Sequence, residues 1–102
     1  MTAGHPSQAL VWEWREGDED ELHTHRITPE EVYEIWANRP KFARNKRRRA
    51  GDWKMMGRTN GGRKLTVVVR YESDGRSLRP ITGWGSTDGE ITRYFKKGEE
   101  SG

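Results

Sequence analysis

The chain has 102 residues, with 19 Lys or Arg against 16 Asp or Glu for a formal net charge of +3; 30% of residues are hydrophobic and 34% are charged. That size suits one small domain with a lean core, and the absence of cysteine excludes both disulfides and thiolate metal sites. No apolar run reaches the length of a membrane span or a secretory h-region, so a cytoplasmic protein without membrane association is the default expectation.

Residues 1–9 read as a loose N-terminal tail and 99–102 as a loose C-terminal end, which leaves 10–98 as a single domain. Leu10 to Trp12 suits a short strand or the lead-in to a helix, and Asp18 to His25 carries enough helix formers for one or two turns. The strongest helix signal covers 28–38. Thr28 is a good N-cap, Pro29 takes the first helical position and Glu31 completes a capping box. Ile27 and Val32 can staple the entry, and Val32, Ile35 and Trp36 share one face. Pro40 ends the helix by disfavouring a helical residue before it.

Next comes KFARNKRRR at 41–49, in which six of nine residues are basic. It divides the charge sharply: residues 1–40 hold nine acids and three bases, a net −6, whereas 41–102 hold sixteen bases and seven acids, a net +9. Arg44, Lys46, Arg47, Arg48 and Arg49 are therefore candidate phosphate contacts, since each phosphate neutralised releases condensed counterions. A solvated loop that balances the acidic half is the other reading. Phe42 to Arg47 can also form an edge strand, which Lys and Arg suit.

Three further strands are predicted: Asp52 to Thr59, Lys64 to Tyr71 and Leu78 to Trp84, separated by turns at Asn60-Gly61-Gly62 and Ser73-Asp74-Gly75. In the second strand Leu65, Val67, Val69 and Tyr71 face the core; Lys64, Thr66 and Arg70 face the other way, with Val68 breaking the pattern. A last helix from about Asp88 to Lys97 starts on a second capping box, Thr87 with Glu90, and buries Ile91, Tyr94 and Phe95. The expected class is α+β: N-terminal helices packed on a 3–4-stranded antiparallel sheet, followed by a C-terminal helix.

This order and several strings resemble the BrnT family of toxins, which have the RelE-like ribonuclease fold. The strings are VWEW at 11–14, HRITPEEVYEIW at 25–36, GRTNGGRKLTVVV at 57–69, RPITG at 79–83 and EITRY at 90–94. The likeness spans roughly residues 11–97. It also has departures. Where the family usually reads Ile-Ser-Ala-Arg, this chain has Ile81, Thr82, Gly83 and Trp84; a Glu-Arg pair becomes Glu90-Ile91; and an arginine before the first hairpin tryptophan is Asp52. Each change removes positive charge from the place where such a toxin would hold the scissile phosphate.

The resemblance implies a toxin of a toxin–antitoxin module that acts on RNA as a metal-independent endoribonuclease and inhibits translation, with no cofactor. RNA and a cognate antitoxin are the implied partners, the latter drawn to the basic surface by complementary charge. Cleavage through the 2′-hydroxyl needs a base, a cation for the developing charge and an acid for the leaving oxygen. His25 and Tyr94, at family positions, and Arg79 are the catalytic candidates; Arg58, Lys64 and Arg70 join the basic run as phosphate ligands. Each also has a plainer use: His25 at a helix junction, Tyr94 in packing, the arginines on a solvated sheet face. His23 and His25 form a pair of imidazoles, but nothing completes a metal site around them. A non-catalytic RNA- or protein-binding module that kept the fold is the principal alternative, and a DNA-associated regulator is a third.

Overall fold

The computed structural model describes residues 4–46 and 53–95. In chain order they form a 3-10 turn (Pro6–Gln8), β1 (Val11–Trp12), α1 (Asp18–Thr24), α2 (Pro29–Ala37), β2 (Lys41–Arg44), β3 (Trp53–Arg58), β4 (Lys64–Glu72), β5 (Ser77–Gly85) and α3 (Asp88–Glu90), which runs on as a π-helix (Ile91–Phe95). The class is α+β, built on one sheet ordered β1-β5-β4-β3-β2. Among the described residues no helix is long and apolar enough to cross a membrane.

Local chemistry explains most of these boundaries. Thr28 caps α2 by accepting from the Glu31 N–H at 3.2 Å, and the Glu31 carboxylate accepts from the Thr28 N–H at 3.1 Å. Thr87 and Glu90 repeat the arrangement at α3. Both capping boxes satisfy helix donors that would otherwise lack partners.

The sheet differs from the expected 3–4 antiparallel strands. β2 to β5 form the antiparallel meander, but β1 adds a fifth strand parallel to β5, with Val11 opposite Ser77 and Trp12 opposite Leu78. Two residues are too few to show alternation, and their partners lie far along the chain, so local pattern leaves Leu10 to Trp12 open between a short strand and a helix lead-in and does not place it in the sheet. β2 covers Lys41–Arg44 and stops short of Arg47. The expected final helix is an α turn followed by a π turn as far as Phe95; Lys96 and Lys97 lie outside the described residues. The segment expected as a tail packs instead: Pro6 and Ala9 are buried, and Arg76 Nε donates to the Gln8 carbonyl at 3.1 Å.

One sheet face takes the helices. Leu22, Ile27, Val32 and Ile35 pack with Met55, Leu65, Val67, Val69 and Leu78 in one buried cluster, rimmed by Trp12, Trp14, Trp36, Phe42 and Trp53. The other face is buried too, at Met56, Thr66 and Val68. That second burial explains the broken alternation in β4. Thr66 can sit there because its hydroxyl bonds Ser86 and Glu90 at 2.9 and 3.0 Å, satisfying a buried polar group.

Helix and sheet meet closely at Gly83. A Cβ there would stand 2.9 Å from the Thr66 carbonyl oxygen and 3.1 Å from Ile27 Cδ1. Gly83→Ala must push backbone as well as side chain, so it is expected to cost about 1–3 kcal/mol in a urea unfolding titration. Gly85→Ala, whose Cβ meets nothing within 4 Å, should stay within about 0.5 kcal/mol of the parent.

Candidate functional site

Where α2 hands over to β2, the chain borders an open cleft of about 540 Å³. Its walls come from three elements: Asn38, Arg39 and Lys41 from the α2–β2 junction, Met56 to Asn60 from the end of β3, and Tyr94 with Phe95 from the π-helix. Three cationic side chains, Arg39, Lys41 and Arg58, line it, and no Asp or Glu does so among the described residues. A concave surface carrying one sign of charge concentrates counter-ions of the opposite sign.

The cleft has a fixed floor. Asn38 Nδ2 donates to the Arg58 carbonyl at 2.8 Å and to Asn60 Oδ1 at 3.0 Å, and the Asn60 N–H donates to Glu34 Oε1 at 2.9 Å. These bonds tie the β3–β4 turn to the last turns of α2. Farther round, Arg63 Nη1 donates to the Arg26 carbonyl and to both Glu31 oxygens, at 2.6, 3.2 and 3.1 Å. The turn is thus held along the length of α2.

The residues singled out from sequence fall into separate groups. Arg58 and Tyr94 meet in the cleft. Lys64 pairs with Arg58 across β3 and β4, and the two cations approach the Phe95 ring from 6.0 and 5.7 Å. Arg70 is six residues along β4, about 20 Å away at strand spacing, and is paired in register with Arg79. Arg44 lies 4.5 Å over the Trp53 ring, and Lys46 is exposed just beyond β2. Arg47, Arg48 and Arg49, and Asp52, lie outside the described residues.

The expected catalytic trio is not assembled. Tyr94 lines the cleft, but His25 ends α1, its Nε2 3.3 Å from Glu21 Oε2, an oxygen that also accepts from Thr82 Oγ1 at 2.8 Å. Arg79 is committed to Asp18 as a two-pronged pair, Nε to Oδ2 and Nη2 to Oδ1, both at 3.0 Å. Asp18 is buried. Burial works to raise its pKa, but the Arg79 hydrogen bond, the Arg15 N–H and the charges of both arginines outweigh it and hold the carboxyl below its ordinary value. Asp18 in turn raises the Arg79 pKa, chiefly through that hydrogen bond. This geometry makes Arg79 the clamp between α1 and β5 and takes its fork away from any phosphate.

Glu90 is also a structural acceptor. One oxygen receives Thr66, Trp84 and the Thr87 N–H at 3.0, 3.1 and 2.9 Å, and the other faces Lys54 at 3.5 Å. Burial opposes its ionisation, yet those donors and Lys54 keep its pKa below the ordinary glutamate value. Trp84, which stands where the BrnT pattern has arginine, is thereby occupied in anchoring α3. No group of three His, Asp or Glu side chains converges as a metal site among the described residues.

Sequence reasoning missed Arg39 and Lys41 as a pair. Arg39 lies outside every recognised motif, Lys41 opens the basic run without being named as a phosphate contact, and only the fold brings β3 and the π-helix beside them. No protein-family model matches the chain, and no curated protein matches it.

Two outcomes follow from the clamp. Arg79→Ala strands a buried carboxylate and should cost about 2–3 kcal/mol, read by chemical denaturation at pH 7. A carboxyl with a depressed folded pKa stabilises above its unfolded value, near 4, and loses that contribution as pH falls through the folded value. Wild type should therefore lose stability on acidification below about pH 4, and Asp18→Asn, weaker at pH 7, should show a shallower decline over the same range.

Proposed function

We propose that this protein is the toxin of a BrnT-like toxin–antitoxin module and that it takes RNA in the cleft between α2, β3 and the π-helix. The observation that carries the reading is three cations and a tyrosine on the walls of one cleft, with no acid among the described lining residues. Two helices ahead of an antiparallel meander and a closing helical segment, in the order the BrnT resemblance implies, add support.

Within this reading RNA is cleaved without a metal. The 2′-oxygen bonds to phosphorus as the P–O5′ bond breaks, and its proton leaves to solvent water; Arg58 meets the charge that develops on the phosphate, and the Tyr94 hydroxyl passes a proton to the leaving 5′-oxygen. A cognate antitoxin covers the basic surface. The second reading, an RNA-binding module without chemistry, draws on a specific observation: His25 and Arg79 are engaged with Glu21 and Asp18, outside the cleft.

Labelled single-stranded RNA incubated with the purified protein in EDTA distinguishes them. The toxin reading expects cleavage that survives chelation, falls about 10²–10³-fold in Arg58→Ala and persists per folded molecule in Arg79→Ala. RNA bound but uncut would favour the module. RNA neither bound nor cut would remove both.

A further inference from the structure

Arg39 has a backbone conformation that its side chain makes costly. It follows Asn38, the C-cap of α2, and has φ +59°. That left-handed position after a helix belongs to glycine by preference, because a Cβ crowds the neighbouring carbonyl. The chain is not short of glycine, with 12 in all, yet this position is arginine.

What the side chain gains there is not an internal partner. Among the described residues Arg39 and Lys41 make no side-chain hydrogen bond or ion pair with the protein. Arg39 instead lines the cleft, with Lys41 two residues on and Arg58 on the adjoining strand. Pro40 between the two cations has a fixed φ, and Lys41 is held in register opposite Met56 as the first residue of β2. Two cations on a stiff three-residue segment, beside a cavity with no acid among its described lining residues, form a site for an anion that carries several oxygens.

Arg26 offers a direct comparison. It follows the C-cap of α1 with φ +61°, the same left-handed position, but does not line the cleft. Backbone strain and net charge are matched between the two arginines, and only the surroundings differ.

We infer that Arg39 and Lys41 are a phosphate-binding pair of the cleft, with Arg39 kept at a glycine position for the sake of its guanidinium. The inference rests on the RNA reading above and names which side chains meet the backbone of the strand. Arg39 is bidentate toward phosphate and Lys41 supplies a point charge beside it. Strain stored at a site of use is the pattern expected when a side chain is retained against its backbone preference.

The test compares wild type, Arg39→Gly, Arg39→Lys, Lys41→Ser and Arg26→Gly for melting temperature and for binding of a labelled single-stranded RNA across a salt series. Arg39→Gly should melt no lower than wild type and bind roughly tenfold more weakly. Its log–log salt slope should be shallower by about 0.7, one single-strand phosphate contact. Lys41→Ser should flatten the slope similarly, Arg39→Lys should retain it, and Arg26→Gly should match wild type in affinity. Equal losses in Arg39→Gly and Arg26→Gly would reduce the effect to overall charge and overturn the inference. So would wild-type affinity in Arg39→Gly, and so would a melting temperature well below the parent's, which would make Arg39 a structural residue. If wild type itself fails to bind RNA, the RNA reading fails first.

Discussion

The close seating of α2 on β3 at Gly57 governs the rest of the molecule. A side chain at that position would bring its Cβ within 3.0 Å of Ile35 Cβ and 3.2 Å of the Ile35 carbonyl oxygen. With only hydrogen there, α2 drops onto the sheet, fully burying Val32 and Ile35. The same approach puts Asn38 within reach of Arg58 and Asn60 and brings the α2–β2 junction beside the end of β3. The cleft is therefore a consequence of helix depth. Raising α2 by the thickness of a methyl group would part the walls that carry Arg39, Lys41 and Arg58.

Charge does two different jobs in this fold. The acidic first forty residues do not merely balance the basic remainder. They supply internal partners to it: Asp18 takes Arg79 and Glu31 takes Arg63. Within the second half Glu90 takes Lys54. Such half-buried pairs add more to positioning than to net stability, because desolvation offsets much of their attraction. Arg39 and Lys41 stand apart from these pairings, with no carboxylate among the described residues that line the cleft beside them. The net charge of +3 thus conceals a division between bases paired within the fold and this pair at the cleft.

Elements with local chemical marks were legible in the sequence. Thr28-Pro29 and Thr87 with Glu90 announced two helix starts, Asn60-Gly61-Gly62 the hairpin turn, and the valine run of β4 its buried face. β1 was legible only as one of two readings, and its place in the sheet was not, because its two residues owe their pairing to β5, more than sixty positions away. Burial of Thr66 was hidden for a related reason: its partner Glu90 on α3 lies far along the chain, across a face that the local pattern marked as polar. The candidate site was legible only in part. Arg58 and Tyr94 were named from sequence and meet in the cleft, whereas Arg79 and His25 were named for chemistry and have partners on α1. Residue type suggested a phosphate contact for Arg58, Arg70 and Arg79 alike. Only a carboxylate at 3.0 Å, or a wall without acids among its described residues, separates the clamp from the candidate ligand.

The central claim is that RNA enters beside the α2–β2 junction. Mapping amide chemical shifts of the uniformly nitrogen-15-labelled protein during titration with single-stranded RNA tests it most directly. The account predicts the largest, saturable shifts at Asn38, Arg39 and Lys41, at Arg58 to Asn60, and at Tyr94 and Phe95. Shifts concentrated instead on α1 and the middle of β5, from Asp18 to His25 and Arg79 to Thr82, with the cleft silent, would contradict it.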